Sequence, residues 1–151
     1  MNHVCPMVTG LVPHVGGPIV GPGASNVLVN GKPVSLMGDS CICCGPPDVI
    51  AQGEPNVLIN GTPVVVLGCM TAHGGTIPMG DPTVLVGSAS PVKPITMNIR
   101  KIPFPKIRVV DTIGALLTSS SDSLNRAKEN IEKLKKDSFR DPILPNIDFS
   151  I

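Results

Sequence analysis

The side chains of this sequence that could do chemistry are three histidines and five cysteines, and their spacing points to metal ligation. His14 and His73 each stand ahead of paired glycines, in Pro13-His14-Val15-Gly16-Gly17-Pro18-Ile19 and Ala72-His73-Gly74-Gly75-Thr76-Ile77-Pro78. Cys41, Cys43 and Cys44 crowd one stretch, His3 and Cys5 lie at the start of the chain, and Cys69 stands apart. An odd, unevenly spaced set of cysteines is a poor disulfide framework, so thiols in a reducing compartment are expected. Imidazole nitrogen and thiolate sulfur are the donors that tetrahedral Zn²⁺ takes, and the glycines are expected to let the backbone turn tightly beneath such an ion.

The elements that must position these donors follow from composition and repetition. Aromatic residues make up 2% of 151 residues, with neither Trp nor Tyr, so the core has to be built from Val, Ile and Leu. Gly at 16 and Pro at 17, beside 42% hydrophobic residues, fit short strands joined by many turns rather than disorder. Asn26–Gly38, NVLVNGKPVSLMG, matches Asn56–Gly68, NVLINGTPVVVLG, at an offset of 30, and Thr83–Gly87, TVLVG, begins a third copy. Asn30-Gly31 and Asn60-Gly61 predict type I′ hairpin turns. Pro33 and Pro63 cannot donate to a ladder and belong at strand edges or bulges. Units of about 30 residues cannot each bury a face alone. Three of them wrapped around one axis predict a mainly β, pseudo-threefold body.

The repeat also relates the candidate ligands. Aligning Gly38 with Gly68 puts Cys43 opposite His73, and His14 precedes the matching element of the first unit, so these three are expected at one end of the body. The fourth ligand is left between His3 and Cys5. Cys41, Cys44 and Cys69 are near enough in sequence to substitute, but each reads better as a small buried or idle thiol.

Charge divides the chain. Residues 1–91 hold only Lys32, Asp39, Asp48, Glu54 and Asp81, and the rest of the chain holds the other 18 of 23 charged side chains. A boundary is therefore set at Ser88–Pro91, dividing a β-body over 1–90 from an extension over 91–151. Alternating Pro, basic and aliphatic residues over 92–110 predict an extended strand or an arm lying on another surface. Leu124, Ala127, Ile131 and Leu134 then fall on one face of a helix over about 122–136, with Ser121 or Asp122 as N-cap, and that face is expected to dock on the body.

Taken in order, HVCPMV, PHVGGPI, NVLVNGKPVSLMGD, CCGPPDVIAQGEPNVLINGTPVVVLG and AHGGTIPMGDPTVLVG resemble the PAAR-repeat spike-tip proteins of type VI secretion and other contractile injection systems, over roughly residues 1–90. The resemblance implies a small sharp β-cone whose broad base sits on a trimeric VgrG-like spike and whose apex holds zinc on three histidines and a cysteine. Carried onto this chain, those ligands are His3, His14, Cys43 and His73. Two departures stand out. The Pro-Ala-Ala-Arg of the family is Pro33-Val34-Ser35-Leu36 and Pro63-Val64-Val65-Val66 here, and the Asp39 of one repeat is matched by Cys69 in the other.

The function expected is structural: a zinc-stiffened tip that caps the spike, one per trimer, aids puncture of a target membrane and carries effectors or adaptors on its extension. The competing reading is a zinc hydrolase, or an effector whose extension is a toxin or cargo adaptor. A hydrolytic zinc needs an open coordination position and a general base, and the neighbourhood of these histidines reads as Gly, Pro and Val. A net charge of +1 gives no electrostatic case for nucleic acid. No secretory signal pattern is present, which predicts a protein kept in the cytoplasm until the apparatus delivers it.

Overall fold

A computed structural model describes residues 1–87 and 94–140. The Asn-Gly pairs close two hairpins, β4 (Ala24–Val29) with β5 (Lys32–Val34) and β8 (Gln52–Ile59) with β9 (Thr62–Val64). Their turn residues have the positive φ that a type I′ turn requires: 49° and 74° at Asn30 and Gly31, 54° and 77° at Asn60 and Gly61. The hairpins share one register. Leu28 pairs with Pro33 and Leu58 with Pro63, each beside the same irregularity in the ladder, and β5 and β9 are both edge strands. Proline stands where its missing N–H costs nothing.

The repetition extends to the backbone after each hairpin. Gly38 N–H donates to Ile50 O at 2.9 Å as Gly68 N–H does to Ile77 O, and Ile50 N–H donates to Asp39 O as Ile77 N–H does to Cys69 O, both at 3.0 Å. Asp39 and Cys69 even share a task. The Asp39 carboxylate accepts from Leu36 N–H at 2.8 Å, and the Cys69 sulfur accepts from Val66 N–H at 3.5 Å, so the thiol caps its turn as the carboxylate caps the other.

The third unit departs from the expectation. Thr83–Gly87 forms no strand among the described residues, and the residues that follow, including the boundary at Ser88–Pro91, lie outside them. The segment is still tied to the first hairpin, as the first hairpin's unit is tied to the second. Asn60 and Asn26 exchange amide bonds of 3.1 and 2.9 Å, and Asn30 Nδ2 reaches Asp81 Oδ2 at 2.6 Å and Thr83 Oγ1 at 3.4 Å. By the repeat alignment Thr83 is the equivalent of Asn26, so the turn of the second hairpin holds the first residue of the first copy, and the turn of the first hairpin holds the first residue of the third.

The remaining short strands build the opposite end. β1 (Val8–Thr9) and β2 (Val12–Pro13) form a hairpin, and β3 (Gly16–Gly21), β6 (Ser40–Cys43) and β7 (Asp48–Val49) form a sheet in the order β3-β6-β7. Between the two ends lies an aliphatic core of Cys41, Ile50, Val65, Cys69 and Ile77. The result is a mainly β body without a closed barrel, consistent with a small cone.

The extension holds two helices where the sequence predicts one. β10 (Ile95–Thr96) pairs with Gln52 and Gly53 of β8, as the extended reading requires. α1 (Val109–Leu117) follows, over residues expected to be arm or connection, and α2 runs Ser121–Arg140, longer than the predicted 122–136 and with Ser121 already inside it. α1 escapes periodicity because VVDTIGALL is apolar on nearly every face. Its first turn is closed by Asp111, whose carboxylate accepts from Arg108 N–H at 2.7 Å. Leu124, Ala127, Ile131 and Leu134 are all buried, so the predicted stripe does dock.

Candidate metal centre

At the β1–β2 end, Cys5, His14, Cys43 and His73 are brought together. Their ligand atoms all lie within 4.8 Å of one another. Cys5 Sγ is 3.6 Å from His14 Nδ1 and 3.7 Å from His73 Nδ1, and Cys43 Sγ is 3.2 Å from His14 Nδ1. With Zn–S about 2.3 Å and Zn–N about 2.0 Å, the sulfur-to-nitrogen edge of a tetrahedron is about 3.5 Å, so the spacing fits a tetrahedral ion.

Each donor is held by its local fold. Gly16 pairs with Cys43 across β3 and β6, which carries the thiol to the level of His14. His14 N–H donates to Met7 O at 2.7 Å, and its Nε2 lies 2.8 Å from Thr9 Oγ1, so the ring is fixed with Nδ1 toward the sulfurs. His73 N–H donates to Asp48 Oδ1 at 3.0 Å, and Ala72 N–H to Val49 O at 2.8 Å, which ties the His73 loop to β7.

The glycine pairs serve a purpose other than the tight turning expected. Of the four, only Gly74 has a positive φ, at 76°. A Cβ on Gly16 would collide with His3 O, and one on Gly75 with Val4 O, because the N-terminal strand threads between them through the bridges Asn2–Pro18 and Val4–Thr76. Close backbone approach is what excludes a side chain there.

His3 stands beside the four rather than among them. It groups with Cys5 and Asp48, all buried, and its Nδ1 lies 3.0 Å from Gly17 O. His3 Nε2 and Asp48 Oδ2, 3.5 Å apart, have no hydrogen-bond partner. Asp48 and Thr9 were not singled out from the sequence. Asp48 carried one signal, as one of five charges in the first 91 residues. The other thiols lie away from the donors: Cys41 and Cys69 in the aliphatic core, Cys44 exposed.

Electrostatically the four donors are kept uncharged. Burial pushes the Cys5 and Cys43 thiols up, and it lowers His14, helped by neighbouring His73, and His73 against the pull of Asp48. A bound cation reverses this logic, because its charge stabilises thiolate and the imidazole lone pair is already free.

Fold and site together define a class, a small strand-rich body with a buried two-cysteine, two-histidine cluster at one end. Residues 9–79 match the family model of the PAAR motif, within the span from which the resemblance was drawn. The comparisons with curated proteins and with solved structures found no match. Among the described residues, no helix is long and apolar enough to cross a membrane.

Proposed function

We propose that the chain is a zinc-stiffened spike tip of a contractile, type VI secretion-like apparatus, with a body over 1–90 seated on a trimeric VgrG-like spike and an extension over 91–151. One observation carries the reading. Leu28, Leu58 and Leu85 occupy equivalent positions of the three units and are 57%, 57% and 96% exposed, while the asparagine contacts tie the second unit to the first and the first to the third. Three exposed aliphatic side chains at repeat-equivalent positions, two of them on the hairpins rather than on the loops that carry the histidines, match the symmetry of a trimer and leave a single chain with an uncovered interface. The expected stoichiometry is one tip to three spike chains by native mass spectrometry. A well-behaved monomer that ignores the trimeric spikes of its own organism, or a 3:3 complex, would overturn it.

The zinc shell proposed is Cys5, His14, Cys43 and His73, with His3 and Asp48 behind it. Four buried protein ligands fill a tetrahedron and leave no position for substrate, which supports a structural role over hydrolysis. Release from the cytoplasm by the apparatus, membrane puncture and cargo carriage by the extension belong to the same reading. Val109, Val110, Ile113, Leu116 and Leu117, exposed along α1, support the last of these.

A further inference from the structure

The extension folds back over the histidine end of the body, and its contacts fall on the loops that carry the donors. Cys5 and Cys43 share one apolar cluster with Ala115 of α1 and with Leu124, Ala127 and Ile131 of α2. Gly74, adjacent to His73, lies so close to α2 that a Cβ there would meet Ala127 O at 2.6 Å, and Asn130 Nδ2 donates to Gly74 O at 2.7 Å. α1 grips the β1–β2 turn in the same manner. Gly114 lies against Gly10 O with no room for a Cβ, and Gly10 N–H donates to Asp111 Oδ1 at 2.6 Å. The next residue back is Thr9, whose hydroxyl holds His14. One helix therefore braces His73 and the other braces His14, while both pack on the two thiols.

We propose that the α1–α2 pair is the closing wall of the metal centre, so that helix docking and metal binding reinforce each other. The proposal rests on the reading of the four donors as a zinc site. Its physical content is reciprocity: if docked helices hold the donors at ligating distance, the bound ion must hold the helices by the same factor. Without the ion, the donors beneath the wall lose what fixes them against one another.

Two measurements on the full chain test this. In the wild-type protein, amide exchange over 124–134 of α2 is followed with zinc bound and after chelation. Exchange should be about tenfold or more faster without zinc, the size of an ordinary coupling. In Gly114→Val, which wedges α1 from Gly10, and Asn130→Ala, which cuts the tie to Gly74, zinc affinity measured by chelator competition should fall by about tenfold, still at one zinc per chain. Leu28→Asp, at the far face, should change neither quantity. Unchanged α2 exchange on zinc removal, or unchanged zinc affinity in variants whose α2 exchange has risen, would overturn the proposal and leave the zinc site standing. The wild-type exchange experiment decides the matter even if a wedge variant fails to fold. A wild-type protein that binds no zinc would remove the underlying reading itself.

Discussion

The Thr9 hydroxyl lies 2.8 Å from His14 Nε2, on the side of the ring away from the Cys5 and Cys43 sulfurs. Such partners of a metal-bound imidazole fix its orientation, and losing one typically costs about 10- to 100-fold in metal affinity. Thr9→Val should therefore weaken zinc binding by that range, and Thr9→Ser should restore most of it. Competition against a chromophoric chelator reads both. Equal affinity in Thr9→Val would mean that packing alone orients His14.

The composition of the shell can be read directly. X-ray absorption of the zinc-loaded protein should find two sulfurs at about 2.3 Å and two nitrogens at about 2.0 Å. Cys5→Ala should drop bound zinc well below one per chain, whereas His3→Ala should keep the zinc and lose thermal stability, since it strips Asp48 of its buried neighbour. The reverse pattern would put His3 in the shell and Cys5 behind it.

Proton release distinguishes the same alternatives. Burial holds the Cys5 and Cys43 thiols above their ordinary values and the His14 and His73 imidazoles below theirs, so near neutral pH the metal-free donors are two thiols and two neutral rings. Zinc binding should then expel about two protons, and log affinity should rise by about two per pH unit across that range. Calorimetry in buffers of different ionisation enthalpy counts the protons; a count near one would favour a shell with a single thiolate.

Cys69 and Cys41 should matter for stability and not for metal. Burial pushes the Cys41 thiol up to about 12, and Cys69 caps Val66 N–H inside the aliphatic core. Cys69→Ala leaves that donor unpaired at a cost of about 1–3 kcal/mol, which should lower the melting temperature by several degrees with zinc content unchanged.

Leu28→Asp and Leu58→Asp should abolish the complex with the trimeric spike and improve the solubility of the isolated chain. Each puts a carboxylate in the centre of the proposed apolar face. Zinc content and melting temperature should stay close to wild type, because both side chains already stand in solvent.

What the sequence determined alone is everything that repeats at short range. The Asn-Gly turns, the proline edge positions and the offset of 30 are local chemistry written twice, and the aliphatic stripe of α2 has a period that needs no partner to be seen. That same offset set Cys43 opposite His73, the matching element after His14 added the third, and the structure brings these three together with Cys5. The fourth neighbour was undecidable in sequence, because His3 and Cys5 lie two residues apart on one strand and only the threading of that strand between Gly16 and Gly75 sets which side chain faces the others. α1 was equally illegible. Its sequence is apolar all round, and it becomes a helix with a definite face only where Gly114 meets Gly10 and Asp111 finds the Gly10 N–H, about a hundred residues away in the chain. Contacts of that range carry no local signature, which is why the tertiary structure alone decided that the extension closes over the histidine end.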